Sequence, residues 1–243
     1  MSFFNVYQDE QRAVSCSKLQ FPGTYYLAFR DLPSLLGKHA KGGSALDFGC
    51  GAGRSTRFLR DLGFEAVGVD ISPHMIRMAR SLDPDGDYRL IGEGDLGGLA
   101  PGFDAALSAF TFDNIPERET KLRCLSGIGA LLAEEGVLVN LVSSPDIYRH
   151  EWASFSTRDF PGNLSARSGD RVRIVIKDVE DRRPVEDVIF YEEDYLDLYA
   201  EAGLELVEAA RPLGREDEAM AWVSETSIAP WAIYVLKKAQ GPR

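Results

Sequence analysis

From Ala45 onward the chain alternates short apolar runs with amphipathic stretches. Ser44–Phe48 (SALDF) reads as a buried strand, followed by a glycine turn at Gly49–Gly53 and a helix carrying Phe58 and Leu59. Glu65–Asp70 is the next strand. Ser72 is placed to cap the following helix, with Pro73 at its first position, where a missing N–H costs nothing. That helix runs through Met75, Ile76, Met78 and Ala79. Asp87–Ile91 and Phe103–Phe110 read as the third and fourth strands. Apolar residues at Leu122, Leu125, Ile128, Leu131 and Leu132 fall close to helical spacing and predict a helix over Lys121–Ala133. Glu135-Gly136 is expected to end it, before a fifth strand at Val137–Val142. Strands alternating with helices imply βαβ units and a mostly parallel sheet.

The regularity breaks after Ser143. Residues 143–170 are rich in Ser, Pro, Asp and aromatics and keep no period. Val172–Ile176 and Val185–Phe190 then predict two antiparallel strands lying over the end of the sheet. A helix at Glu192–Ala202 ends at Gly203, and strands near Leu204–Ala209 and Trp231–Leu236 bring the sheet to seven. Before Ala45 lies a helical, aromatic-rich arm with Tyr7, Phe21, Tyr25, Tyr26 and Phe29. The pattern therefore predicts one α/β domain over 1–243. Residues 1–43 form an arm or lid, 44–142 the core around the glycine turn, 143–191 an insertion, and 192–243 the closing helix and strands.

Composition narrows the function. The chain has 243 residues, 44% of them hydrophobic, which supports a sizeable core and excludes a disordered or fibrous chain. The formal charge is 27 − 38 = −11. Such a balance repels phosphate backbones and anionic lipid at long range, so the expected partners exclude nucleic acid and membrane. Cys16, Cys50 and Cys124 form no CxxC pair, and with His39, His74 and His150 they make no zinc pattern, so no metal is expected. The start, MSFFNVYQDEQ, lacks a long apolar segment, and no run approaches the ~18 apolar residues of a membrane span. A reducing, cytoplasmic setting is the simplest expectation. Oligomeric state is not legible.

The most informative stretch is ALDFGCGAGRST, Ala45–Thr56. A glycine turn between strand and helix lets a ligand approach the bare backbone. Asp70 ends the next strand, where a carboxylate accepts hydrogen bonds from ribose hydroxyls. Two details select the ligand. Gly49, Gly51 and Gly53 follow G-x-G-x-G, whereas a dinucleotide fingerprint wants its third glycine where Arg54 sits. Asp47, two residues before the first glycine, would repel a diphosphate and attract an ammonium. S-adenosylmethionine carries an amino group, a sulfonium and a ribose but no phosphate.

The sequence resembles the class I S-adenosylmethionine-dependent methyltransferase family over roughly Ala45–Leu141, and more loosely over the last two strands. The resemblance implies a Rossmann-like sheet with helices on both faces and S-adenosylmethionine as cofactor, with S-adenosylhomocysteine as product. It implies that Asp47, Gly49 and Gly51 hold the methionine end, that Asp70 is the family's acidic residue after strand two, and that Gly53 and Ile71 also bind the cofactor. Met75 would pack on the adenine, Asp95 and Leu96 in GEGDLG would contact its amine and ring, and the backbone near Ala109 would floor the methionine site. Each position has a plainer reading. Asp47 could cap the turn, Met75 could be core, and Asp95 could serve its own Gly-rich turn.

Methyl transfer from a sulfonium is one in-line displacement, needing alignment, water exclusion and sometimes a base. Tyr25 is read as a lid or hydrogen-bonding wall, Asp113 as a strand-end carboxylate facing the cleft, and His150 as the base whose ordinary pKa lies nearest neutrality. Trp152 and Tyr25 could stack on an aromatic or hydrophobic small-molecule acceptor, as in specialised metabolism. Two rivals remain open: an NAD(P)-dependent oxidoreductase of the same fold class, and a non-catalytic S-adenosylmethionine-binding module; a third, an RNA or protein methyltransferase, is disfavoured for RNA by the acidic balance.

Overall fold

The computed structural model describes residues 21–240. Tyr7, Cys16 and the rest of 1–20 lie outside the described residues. The described arm consists of α1 (Thr24–Arg30) and α2 (Leu32–His39). The core follows as β1 (Ser44–Phe48), α3 (Arg54–Asp61), β2 (Glu65–Asp70), α4 (Pro73–Leu82), β3 (Asp87–Leu90), β4 (Phe103–Ala109), α5 (Arg118–Leu131) and β5 (Leu132–Ser143). An excursion carries β6 (Phe155–Ser156), β7 (Arg171–Ile176) and β8 (Val185–Val188). The chain then returns through α6 (Glu192–Glu201), β9 (Leu204–Ala210) and β10 (Trp231–Lys238).

The main sheet has seven strands in the order β3-β2-β1-β4-β5-β10-β9. β1, β2, β3, β4 and β5 pair in parallel, while β10 runs antiparallel to both of its neighbours. The strand order reverses between β1 and β4, and in open α/β sheets a ligand crevice lies beyond the strand ends at that point. Alternation along the strands divides the core. Ala45, Ala105, Leu107, Val139 and Ile233 face one layer with α1 and α2. Leu46, Ala106, Leu138 and Ala232 face the other with α5 and α6. The Ser72 hydroxyl accepts from the Met75 N–H and caps α4 with Pro73 in its first turn, as the sequence predicts.

Two details differ from expectation. α5 stops at Leu131, because Leu132 is already extended (φ −63°, ψ 148°) and begins β5. Leu132 and Val137 pair with Phe103 and Ala105, so Ala133–Gly136 bulge out of the ladder instead of ending the helix. Gly136 is required there, since a Cβ would lie 2.5 Å from the Phe103 carbonyl oxygen. The excursion holds three antiparallel strands rather than two, because Phe155 and Ser156 add a short edge to β7. A two-residue strand has too little period to show in a sequence.

Candidate functional site

At the reversal point lies a cavity of about 620 Å³, within the range of small-molecule sites. Its floor is the turn after β1. Gly49, Gly51 and Gly53 hold φ of +75°, +53° and +82°, a region that favours residues without a Cβ. At Gly49 a Cβ would lie 2.0 Å from Thr111 Oγ1, and at Gly53 it would lie 2.6 Å from the Tyr88 hydroxyl. The turn is thus pinned from both sides, and alanine at either position would distort it.

Asp70 lines the cavity at the end of β2. It accepts the Gly51 N–H at 2.9 Å and the Ser72 N–H at 2.7 Å, tying the glycine turn to the start of α4. Burial pushes its carboxyl above the ordinary range, and those N–H groups oppose the shift. Ile71, Met75 and Ile91 form an apolar wall beside it, together with Glu93 and Gly94.

Asp47 stands behind the turn rather than in the cavity lining, and it is fully buried. Its Oδ2 accepts the hydroxyls of Ser55 (2.7 Å) and Thr56 (2.6 Å), while Oδ1 has no hydrogen-bond partner among the described residues. Burial raises its pKa to about 6. A carboxyl whose folded pKa is raised favours folding most at pH below its ordinary value. That contribution is lost as pH rises through about 6. At pH 8 the buried charge therefore opposes folding by about 3 kcal/mol. Asp47→Asn keeps an acceptor for Ser55 and Thr56 but removes the charge. It is expected to raise the melting temperature of the ligand-free protein at pH 8 by about 5 °C or more, and thermal unfolding of both proteins at pH 8 checks this.

The structure separates the remaining candidates. Asp113 and Tyr25 are buried and line the cavity, as do Ala109 and Phe110. His150 does not line it. That residue is half-buried, with its ring edge-on to Trp152 at 6.2 Å, because the turn after β5 directs Ile147 and Tyr148 inward instead. Trp152 is fully buried core, its indole N–H donating to the Ile147 carbonyl at 2.8 Å. Asp95 is exposed and outside the lining, accepting the Gly97 N–H at 3.1 Å in its own turn, and Leu96 packs into the core behind α5. Glu93 lines that corner in place of Asp95.

Several lining residues escape a reading by motif. Phe110 adopts φ +63°, uncommon for a bulky side chain, at the point where β4 opens into the cavity. Its ring meets Trp231 at 4.7 Å and Tyr25 at 5.9 Å. Phe155 closes the same cluster 5.0 Å from Tyr25. The Arg54 guanidinium lies 5.2 Å from the Tyr25 ring and 5.3 Å from those of Phe21 and Phe29, joining arm to glycine turn. Across the chamber stand Tyr148 and Asp187, with the Tyr148 hydroxyl donating to Asp187 at 3.0 Å. The alternation Val185-x-Asp187 was the available signal for Asp187, since it puts a carboxylate on an apolar strand face.

The described residues fit S-adenosylmethionine better than a dinucleotide. A buried acceptor atom at Asp47 is unpartnered among the described residues, behind the turn that a cationic amino group would approach. The turn leaves backbone unshielded, Asp70 lines the cavity at the end of β2, and Met75 with Ile71 and Ile91 offers an apolar slot for a flat ring. Among the described residues no helix is long and apolar enough to cross a membrane.

The family model for the methyltransferase domain matches residues 21–209. Among curated proteins, a probable 18S rRNA (guanine-N(7))-methyltransferase of Dictyostelium discoideum is 42% identical over 71 residues, 28% of this chain and 24% of that protein. The 18S rRNA (guanine-N(7))-methyltransferase of Mus musculus is 40% identical over 67 residues, covering 26% and 23%. The chain thus spans about a quarter of the length of these curated relatives. Among solved structures, the CcbJ methyltransferase from Streptomyces caelestis superposes with a TM-score of 0.69 at 18% identity, covering 98% of this chain and 100% of that one. It shares the fold.

These relatives correct one expectation. A small-molecule acceptor with nucleic acid excluded does not stand, because the curated relatives are named as rRNA methyltransferases. The charge of −11 is an average over the whole chain, whereas nucleic acid responds to local charge. Matched over most of its length, and carrying the seven-strand order and glycine turn described above, the chain belongs to the methyltransferase-domain family, with S-adenosylmethionine as its cofactor.

Proposed function

We propose that this chain transfers a methyl group from S-adenosylmethionine to an acceptor that enters the cavity beneath the β6–β8 sheet. One observation carries the reading. A single cavity joins the glycine turn and Asp70 to a chamber walled by Tyr25, Phe155, Trp231, Ile174 and Val185. When bound, the cofactor supplies an electrophilic methyl group. The chain's own residues do the rest. Gly49, Gly51 and Asp70 hold the donor end in place. Phe110, Tyr25 and Trp231 pack edge-on and face-on to exclude water and to align the acceptor. Asp113, whose carboxyl burial raises toward neutrality, is placed at the cavity wall to take or orient a proton from the acceptor. The flat aromatic walls favour a planar or apolar acceptor group.

The curated relatives favour a second reading of the acceptor: a guanine base within RNA. Thermal unfolding with S-adenosylmethionine, S-adenosylhomocysteine and NAD tests the cofactor. At about 100 times its dissociation constant a ligand stabilises by about 2.7 kcal/mol, so the two adenosyl ligands are expected to raise the melting temperature and NAD is not. Incubation with methyl-labelled S-adenosylmethionine and either total RNA or a metabolite extract then reads the acceptor. Label in RNA supports the second reading. A shift with NAD alone, or no label in either pool, sinks the proposal.

A further inference from the structure

The cavity is rich in acids. Among the described residues that line it, Asp70, Glu93, Asp113, Glu117 and Asp187 are acidic, and Arg54 and Arg171 are basic. S-adenosylmethionine carries a single anionic group, the carboxylate of its methionine end. Among so many acids that carboxylate is costly to hold unless a cation meets it. The two arginines stand on different elements. Arg171 is on β7, in the small sheet over the acceptor chamber, and its guanidinium donates to Glu186 at 3.3 Å. Arg54 directly follows Gly53 and opens α3, so it continues the glycine turn. Its charge also acts on the buried Asp47 behind that turn.

The Arg54 guanidinium has a second set of neighbours, in the arm. Its carbon lies 5.2 Å from the centre of the Tyr25 ring and 5.3 Å from those of Phe21 and Phe29. Tyr25 in turn meets Phe110 at 5.9 Å, where β4 opens into the cavity, and Trp231 at 5.9 Å on the acceptor side. A ring attracts the cation as a whole, whereas a carboxylate is taken by paired N–H groups of the planar fork. The two kinds of contact are compatible on one side chain. The rings also shield the half-buried guanidinium from water, which strengthens its pull on an anion.

We infer that Arg54 holds the carboxylate of S-adenosylmethionine and, through the rings of Phe21, Tyr25 and Phe29, links that contact to the arm that walls the acceptor chamber. The cofactor is then read by its charge at the methionine end, and α1 registers whether that charge is in place. Such a linkage is reciprocal, so whatever steadies the arm also tightens the hold on the carboxylate.

Two ligands test this by calorimetric titration: S-adenosylhomocysteine, and its decarboxylated form, which keeps the adenine, ribose, thioether and ammonium. The wild-type protein is expected to bind S-adenosylhomocysteine about ten- to a hundredfold more tightly. Arg54→Met keeps an apolar stem among the rings and removes the charge. It is expected to shrink the preference to about threefold or less, with affinity for the decarboxylated ligand within about threefold of the wild type. Arg54→Lys restores a point charge without the fork and should recover part of the preference. Hydrogen exchange reads the arm. At saturation, S-adenosylhomocysteine is expected to slow exchange of the Thr24–Arg30 amides at least about threefold more than the decarboxylated ligand does, and Arg54→Met should abolish that difference. Equal binding of the two ligands by the wild type overturns the inference, and so does a full preference retained by Arg54→Met. Weakening of both ligands by the same factor in Arg54→Met also overturns it, since that is the mark of a purely structural role. Equal protection of α1 by the two ligands overturns the link to the arm. Failure of both ligands to bind the wild type overturns the cofactor and the inference together.

Discussion

Asp70→Ala is expected to weaken S-adenosylmethionine binding at least a hundredfold while the protein stays folded. The side chain has two tasks at one point. It braces the glycine turn through the Gly51 N–H and the start of α4 through the Ser72 N–H. It also faces the cavity, where a ribose would offer two hydroxyl donors. Hydrogen bonds to a charged acceptor contribute about 1.5–3 kcal/mol each, so losing two of them costs a hundredfold or more. The turn itself is held elsewhere, because the Gly49 and Cys50 N–H groups both donate to the Val69 carbonyl, at 2.8 and 3.0 Å. Calorimetric titration with S-adenosylhomocysteine measures the change, and the melting temperature reports whether the fold survives. Affinity within threefold of the wild type would remove Asp70 from the binding residues.

Lys121→Ala is expected to lower stability by about 3–5 kcal/mol, the range for removing one member of a buried charge group. Lys121 is on α5, fully buried, with its ammonium on the Phe112 carbonyl and 4.6 Å from the centre of the Phe190 ring. Asp113 and Asp187 both hold its proton on, against a burial effect that lowers its pKa. Alanine would leave Asp113 without this neighbouring cation and the Phe112 carbonyl without its donor. At about 2–4 °C per kcal/mol for a chain of this size, the melting temperature should fall by about 10 °C. Lys121→Met, which keeps the volume and removes only the charge, should lose less than the alanine variant. Equal losses in the two variants would mean that the charge and its hydrogen bond, rather than packing, carry the effect.

The sequence by itself determined the layered α/β architecture, the seven main strands and the glycine-turn end of the cavity. These depend on local signals. Period-two and period-3.6 apolar patterns follow from backbone geometry, and the glycines from Gly49 to Gly53 mark a turn whose positive φ values ordinary side chains resist. Asp70 was legible because a strand end has a fixed place at the reversal of strand order. The acceptor end was not legible in the same way. Tyr25, Phe110, Phe155, Asp187 and Trp231 come from five separate elements or turns and meet only when the sheet, the arm and the excursion close on one another. No spacing along the chain encodes such a meeting. A histidine's ordinary pKa points to His150 as a base, yet the turn after β5 sends Tyr148 inward and leaves His150 outside the cavity lining, and pKa alone carries no direction. Asp95 followed a sequence position, whereas backbone geometry turned its carboxylate onto Gly97 and brought Glu93 to the wall. Which side chains face the chamber was decided by tertiary packing, because burial and the pairing of buried polar groups are properties of the closed structure and not of any one segment.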